Sequence, residues 1–165
     1  MDQVTEQSVS STRTAMTVGA VTAGIMLVFF SINLQIVGWL IFAGGIYYGM
    51  KRFRREKGVS IDYFKALFTG VQTAFFASVI LAFVSYVTAT MEPSLIDTTL
   101  NVMEQQLKLS NVPSDIADMA MQQWRQTLSP FVLAIATVFM CSAIGCVVAF
   151  VGAFFIQNDQ LRIIK

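Results

Sequence analysis

Four apolar stretches without a single acidic or basic residue occupy most of this chain, at about residues 15–32, 34–50, 66–91 and 131–156. Segments of that kind leave few folds open, because backbone N–H and C=O groups surrounded by hydrocarbon need partners within the segment, and a helix supplies them by itself. A hydrocarbon core about 30 Å thick takes roughly 20 apolar residues in a helix. The chain therefore reads as an all-α membrane protein with four transmembrane helices. Composition agrees: charged residues make up 13% of the chain, where a soluble domain carries about a quarter. One integral membrane domain over residues 1–165 is expected, since four such helices leave few residues for a second one.

The first two stretches are short, and Asn33 and Gln35 fall between them. One continuous helix would strand two amides in the bilayer, so a tight turn at the water interface is expected there. The third and fourth stretches are each about 39 Å long at the helical rise and must tilt or project beyond the membrane. Ser129-Pro130 sets a capping residue before a proline at the first helical position, which starts the fourth helix there.

Lys and Arg near span ends stay on the cytoplasmic side. With four spans and the 51–65 loop inside, Arg13, Lys51, Arg52, Arg54, Arg55, Lys57, Lys65, Arg162 and Lys165 share that side. Only Lys108 and Arg125 of the 11 cationic residues lie opposite. Both termini are then expected to be cytoplasmic. A cleaved signal peptide would want a basic start, but Asp2 and Glu6 precede the first span and no Lys or Arg does before Arg13.

Between the third and fourth spans, residues 92–129 carry helical signals of their own. Ser94 with Asp97 three residues later approaches a capping box, and Ser114 after Pro113 reads as a second cap. Ile96, Leu100, Met103 and Leu107 recur at helical spacing, as do Ala117, Met121, Trp124 and Leu128. An extracytoplasmic amphipathic helical hairpin is expected. Its apolar stripes must pack on the protein, meet a partner or contact lipid.

Small residues recur in the spans: Gly45 and Gly49 in the second, Ala74, Ser78 and Ala82 in the third, Cys141, Gly145, Ala149 and Ala153 in the fourth. Lipid tails are as apolar as leucine, so membrane helices associate through close backbone approach, which such spacing permits. These residues are read as helix-packing positions, within one chain or across a homodimer seam. Cys141 and Cys146 are five apart on one helix and point to different faces, so neither a disulfide nor a metal pair follows. Trp39, Tyr47 and Tyr48 are expected as headgroup-level anchors.

Catalytic chemistry finds few handles. There is no His, and every Asp and Glu lies in a loop or terminus. No enzyme, metal or cofactor is expected, and no nucleic-acid partner. The basic run Lys51, Arg52, Arg54, Arg55 and Lys57, with Asp62 and Lys65 beyond it, sets topology and is also the candidate for headgroup or partner contact. Ser60 and Asp62 suit the start of the third helix, and Lys65 can snorkel from its first turn.

The run Gly44-Gly-Ile-Tyr-Tyr-Gly-Met50, the basic patch, Gly58-Val-Ser-Ile-Asp-Tyr-Phe-Lys-Ala66 with Gly70, and Glu92-Pro93 together resemble the bacterial membrane family catalogued as domain of unknown function 4199. The resemblance covers about residues 14–158. It implies four spans, an outer helical segment and an inner-membrane location in Gram-negative bacteria, with no assigned activity and no catalytic residue to carry over. Members encoded beside polyprenyl-phosphate-type glycosyltransferases make an accessory role worth carrying.

Three classes of function remain. The first is a non-catalytic subunit or scaffold docking a membrane protein partner. The second is an accessory handling lipid or lipid-linked sugar, and the third a small oligomeric channel or transporter. Against the channel, Gln72, Ser78, Ser85 and Thr88 make only a thin polar line along the third span.

Overall fold

The computed structural model of the chain describes residues 2–31, 34–57, 63–110 and 112–163, with side chains over 11–30, 34, 36–56, 63–110 and 112–156. The described residues form six helices: α1 (Asp2–Ser31), α2 (Gln35–Lys57), α3 (Tyr63–Met91), α4 (Ser94–Leu109), α5 (Ser114–Thr127) and α6 (Pro130–Ile163). No strand occurs among them. Three stretches are long and apolar enough to cross a membrane: Ser11–Phe30, Tyr63–Met91 and Pro130–Ile156. α2 falls short because its apolar part runs only from Ile36 to Met50 before Lys51 and Arg52, about 22 Å of helix. The expected interfacial turn at Asn33 lies outside the described residues, and so do Ser60 and Asp62.

The chain divides into two compact units, Met1–Leu81 with Val138–Lys165, and Ala82–Thr137. In the first, α1 and α2 are joined through Leu34, whose N–H donates to the Phe29 carbonyl at 3.0 Å. They pack in opposite directions: Phe30 meets Gly38, Thr22 meets Gly45, and Thr14 meets Glu56. Trp39 stands edge-on to both Phe30 and Phe42, at 6.3 and 5.9 Å between ring centroids. Trp39 and Tyr47 are partly covered and Tyr48 is exposed.

The rest of the first unit follows the same alternation. Thr69 and Thr73 of α3 lie beside Ser11 and Gly19 of α1, which makes those helices parallel. Gly70, Ala74 and Ser78 meet Ala149, Gly145 and Ser142 in turn, so α3 and α6 are antiparallel. Met50 touches Gly152, and Arg54 reaches the Ile156 carbonyl, so α2 and α6 run together.

Each crossing is made by small residues. A methyl group built on Gly70 would stand 2.8 Å from the Ala149 Cβ, and one on Gly145 would collide with the Ala74 methyl. Ala74, Ser78, Ala149 and Ala153 are almost wholly buried, and Cys141 is 6% exposed. The four-residue repeat of α6 therefore faces its own chain, while Cys146 is exposed. Phe42, Met26, Ile46 and Met50 fill the core beside them, while many other large side chains lie outside: Phe68, Phe75, Phe139, Val147, Phe150 and Phe154 are exposed. Small residues at the helix crossings and many bulky apolar ones on the surface make an arrangement that suits a lipid solvent rather than water.

Hydroxyls placed inside are satisfied locally. Thr22 donates to the Val18 carbonyl, Thr69 to Lys65 and Thr73 to Thr69, each four residues back, and Ser78 shares a 2.9 Å bond with Ser142. No buried side-chain N or O among the described residues lacks a partner. This matters in hydrocarbon, where an orphaned polar group costs several kcal/mol.

In the second unit, α4 and α5 contact each other. Leu100 and Met121 are buried, and Ile96, Met103, Leu107, Ala117, Trp124 and Leu128 are partly covered, so both sequence stripes mark the covered faces. The expected serine caps are not formed: Pro93 and Pro113 occupy the N-cap positions, and no side chain caps either helix. Ser94 bonds Glu92 and Ser114 bonds Asp115 instead. What favours these helix starts electrostatically is Asp97 and Asp115 in the first turns, where negative charge opposes the helix dipole. Ser129 does cap α6, accepting from the Val132 N–H at 3.3 Å, with Pro130 as first helical residue.

Overpacking one crossing tests this arrangement. Gly145→Leu should destabilise the detergent-solubilised protein by roughly 1–3 kcal/mol, because its side chain has nowhere to go beside Ala74. Gly44→Ala, where nothing lies within 4 Å, should leave thermal unfolding unchanged or slightly raised.

Candidate functional site

Two polar regions stand out, one in each unit. The first gathers where α2 turns basic. Lys51, Arg52 and Arg55 are exposed, while Arg54 turns aside and donates to the Ile156 carbonyl at 3.4 Å. The side chain of Lys57, and all of Asp62, lie outside the described residues; Lys65 is exposed in the first turn of α3.

Glu56 is the acid that organises this end. Its Oε1 accepts from Arg52 Nε at 2.9 Å, and its Oε2 from the Thr14 hydroxyl at 2.7 Å. Both carboxylate oxygens are thereby engaged, one within α2 and one across to α1. Beside it, Ser11 Oγ lies 3.0 Å from Thr69 Oγ1 and donates to Gln72 Oε1 at 3.2 Å, while Gln72 Nε2 donates to Thr12 at 3.3 Å. This amide and hydroxyl network joins α1 to α3 just short of the basic residues.

Sequence reasoning had Gln72 in a polar line but missed its partners on α1. The signal was there: Ser11, Thr12 and Thr14 precede the first apolar stretch at helical spacing, and α1 continues through them from Asp2. The basic residues were found, yet the division of labour among them was not. Whether an Arg points to solvent or to a neighbouring carbonyl depends on where α6 lies.

The second region is a cleft of about 350 Å³ between α4 and α5, where Glu104, Lys108, Asp118 and Arg125 surround Leu107 and Met121. Lys108 donates to Glu104 at 2.7 Å. That hydrogen bond first, then the Lys108 charge, and more weakly Arg125, hold the Glu104 carboxyl below its ordinary value. Val102, Leu109, Ile116 and Met119 of the same two helices are exposed. Among the described residues, no three His, Cys, Asp or Glu come together.

The family model described as protein of unknown function, DUF4199, matches residues 13–158, and the chain belongs to that family. No curated protein and no solved structure matches it.

Two measurements follow from the charges. Glu56→Ala should cost on the order of 1 kcal/mol of stability, since it unties Thr14 and Arg52 together at a partly exposed site. For Glu104, a depressed folded-state pKa means a contribution present above the unfolded value of about 4.5 and lost as pH falls through the folded one. An NMR titration of its carboxyl carbon should therefore show a midpoint below 4.5, moving back up in Lys108→Gln.

Proposed function

We propose that this chain is a four-span, non-catalytic membrane subunit that docks a protein partner through the exposed face of α4 and α5. Support for the fourth span comes from packing. α2 runs alongside α1 from Phe30 and Gly38 at one end to Thr14 and Glu56 at the other, so it occupies the same depth as a helix long enough to cross. Its short apolar part can be accommodated by local thinning of the bilayer and by Lys51 and Arg52 reaching to the headgroups. Charge bears on orientation more than on the number of crossings: with four, nine of the 11 Lys and Arg residues fall on one side, and with three, eight would. That side is then cytoplasmic, in a bacterial inner membrane, and α4 with α5 form a hairpin on the other.

The observation that carries partner docking is the doubled apolar character of α4 and α5. Their stripes are already covered at Leu100 and Met121, yet Val102, Leu109, Ile116 and Met119 remain exposed, the last at 72%. A helix pair facing water would not keep a second set of bulky apolar residues without a use for them. The acids argue against catalysis in the same region and at the basic end, because Glu104 and Glu56 are each held by cations on their own helices.

The test is purification of the tagged full-length chain in mild detergent from its native membrane, beside Ile116→Asp/Met119→Asp. A stoichiometric protein lost from the variant, with the variant's thermal unfolding unchanged, is the expected result. Equal recovery of that protein with both, or recovery of the chain alone, would contradict docking through this face.

A further inference from the structure

The outward face of α2 has the chemical profile of a lipid laid along a helix. Ile36 and Leu40 are 79% and 67% exposed, Gly44 follows one turn on, then Tyr48 at 56%. Lys51, Arg52 and Arg55 complete the row within the next two turns, all exposed. From Ile36 to Tyr48 is about 18 Å of helix, which is on the scale of an acyl chain. Gly44 leaves a notch between Leu40 and Tyr48, since nothing stands within 4 Å of where its Cβ would be.

The cations at the end of that row are not equivalent to a diffuse positive charge. Glu56, the acid of this run, has one oxygen on Arg52 Nε and the other on the Thr14 hydroxyl. Arg52 bonds Glu56 through Nε, and a guanidinium so held can still offer its two terminal nitrogens to a phosphate in bidentate fashion. Lys51 and Arg55 are four residues apart on the same side. Arg54 is drawn off to the Ile156 carbonyl and takes no part.

We propose that this face binds one anionic glycerophospholipid, its phosphate between Lys51, Arg52 and Arg55, its glycerol beside Tyr48 and one chain in the notch at Gly44. The charge excess selects an anionic over a zwitterionic headgroup, and the apolar row selects a lipid over a free anion. The site stands apart from the α4 and α5 surface, and neither depends on the other.

The test is native mass spectrometry of the full-length chain released from nanodiscs that hold equal phosphatidylglycerol and phosphatidylcholine. Expected is one retained phosphatidylglycerol, with at least about tenfold less retention in Lys51→Gln/Arg52→Gln/Arg55→Gln. Lys108→Gln/Arg125→Gln, which removes charge elsewhere, should retain it, and Gly44→Leu should lower retention with no change in charge. Should the triple variant fail to fold, the single changes Lys51→Gln and Arg55→Gln are read the same way. Retention unchanged in the basic-run variants, or lost equally in Lys108→Gln/Arg125→Gln, overturns the site. So does displacement of the lipid by millimolar inorganic phosphate with Gly44→Leu neutral, which would mark a free-anion site.

Discussion

Close approach of helix backbones is the constraint from which the rest of the first unit follows. Gly145 on Ala74, Gly70 on Ala149 and Gly45 on Thr22 leave no room for larger side chains. In lipid there is no water to expel from between helices, so dispersion contacts of about 0.1–0.2 kcal/mol per atom pair must accumulate over a long, tight seam. Tight seams bring carbonyls and hydroxyls near each other, and the Ser78–Ser142 bond exists because Ala74 and Gly145, one turn away, let α3 and α6 meet. The bulky residues that the seam cannot take go outward, where Phe68, Phe150 and Phe154 form a lipid-compatible surface.

The polar end is built on the same approach. α1 extends from Asp2, well before its apolar stretch, and carries Ser11, Thr12 and Thr14 to α3 and to Glu56. Glu56 then fixes Arg52, and the proximity of α6 draws Arg54 inward. The run of cations is thereby sorted into some that tie helices and some that stay exposed. Both proposed contacts, with a protein at α4 and α5 and with an anionic lipid at α2, use side chains that packing leaves over.

Much of this was legible in the sequence, and the reasons are physical. Apolar length identifies α1, α3 and α6 because a membrane-crossing helix has to be apolar on every face. The amphipathic stripes of α4 and α5 could be read because burial on one face of a helix leaves a 3.6-residue period, and Leu100 and Met121 lie at their centres. Caps were less legible. Ser129 announces α6 correctly, but at Ser94 and Ser114 the preceding prolines take the cap position, and local sequence does not decide between two adjacent candidates. Partners across helices, such as Thr14 with Glu56, were not legible at all, since they depend on which helices are neighbours and in what register. The contacts of Trp39 with Phe30 and Phe42 were out of reach for the same reason.

The central proposal is that α2 crosses the membrane, which places Leu34, just before its start, and Arg55, at its basic end, on opposite sides. Cysteine accessibility tests it most directly. In a Cys141→Ala/Cys146→Ala background, single Leu34→Cys and Arg55→Cys variants would be exposed to a membrane-impermeant maleimide in intact cells. The account predicts labelling of Leu34→Cys from outside, and of Arg55→Cys only after the membrane is opened. Labelling of both from the same side would contradict it.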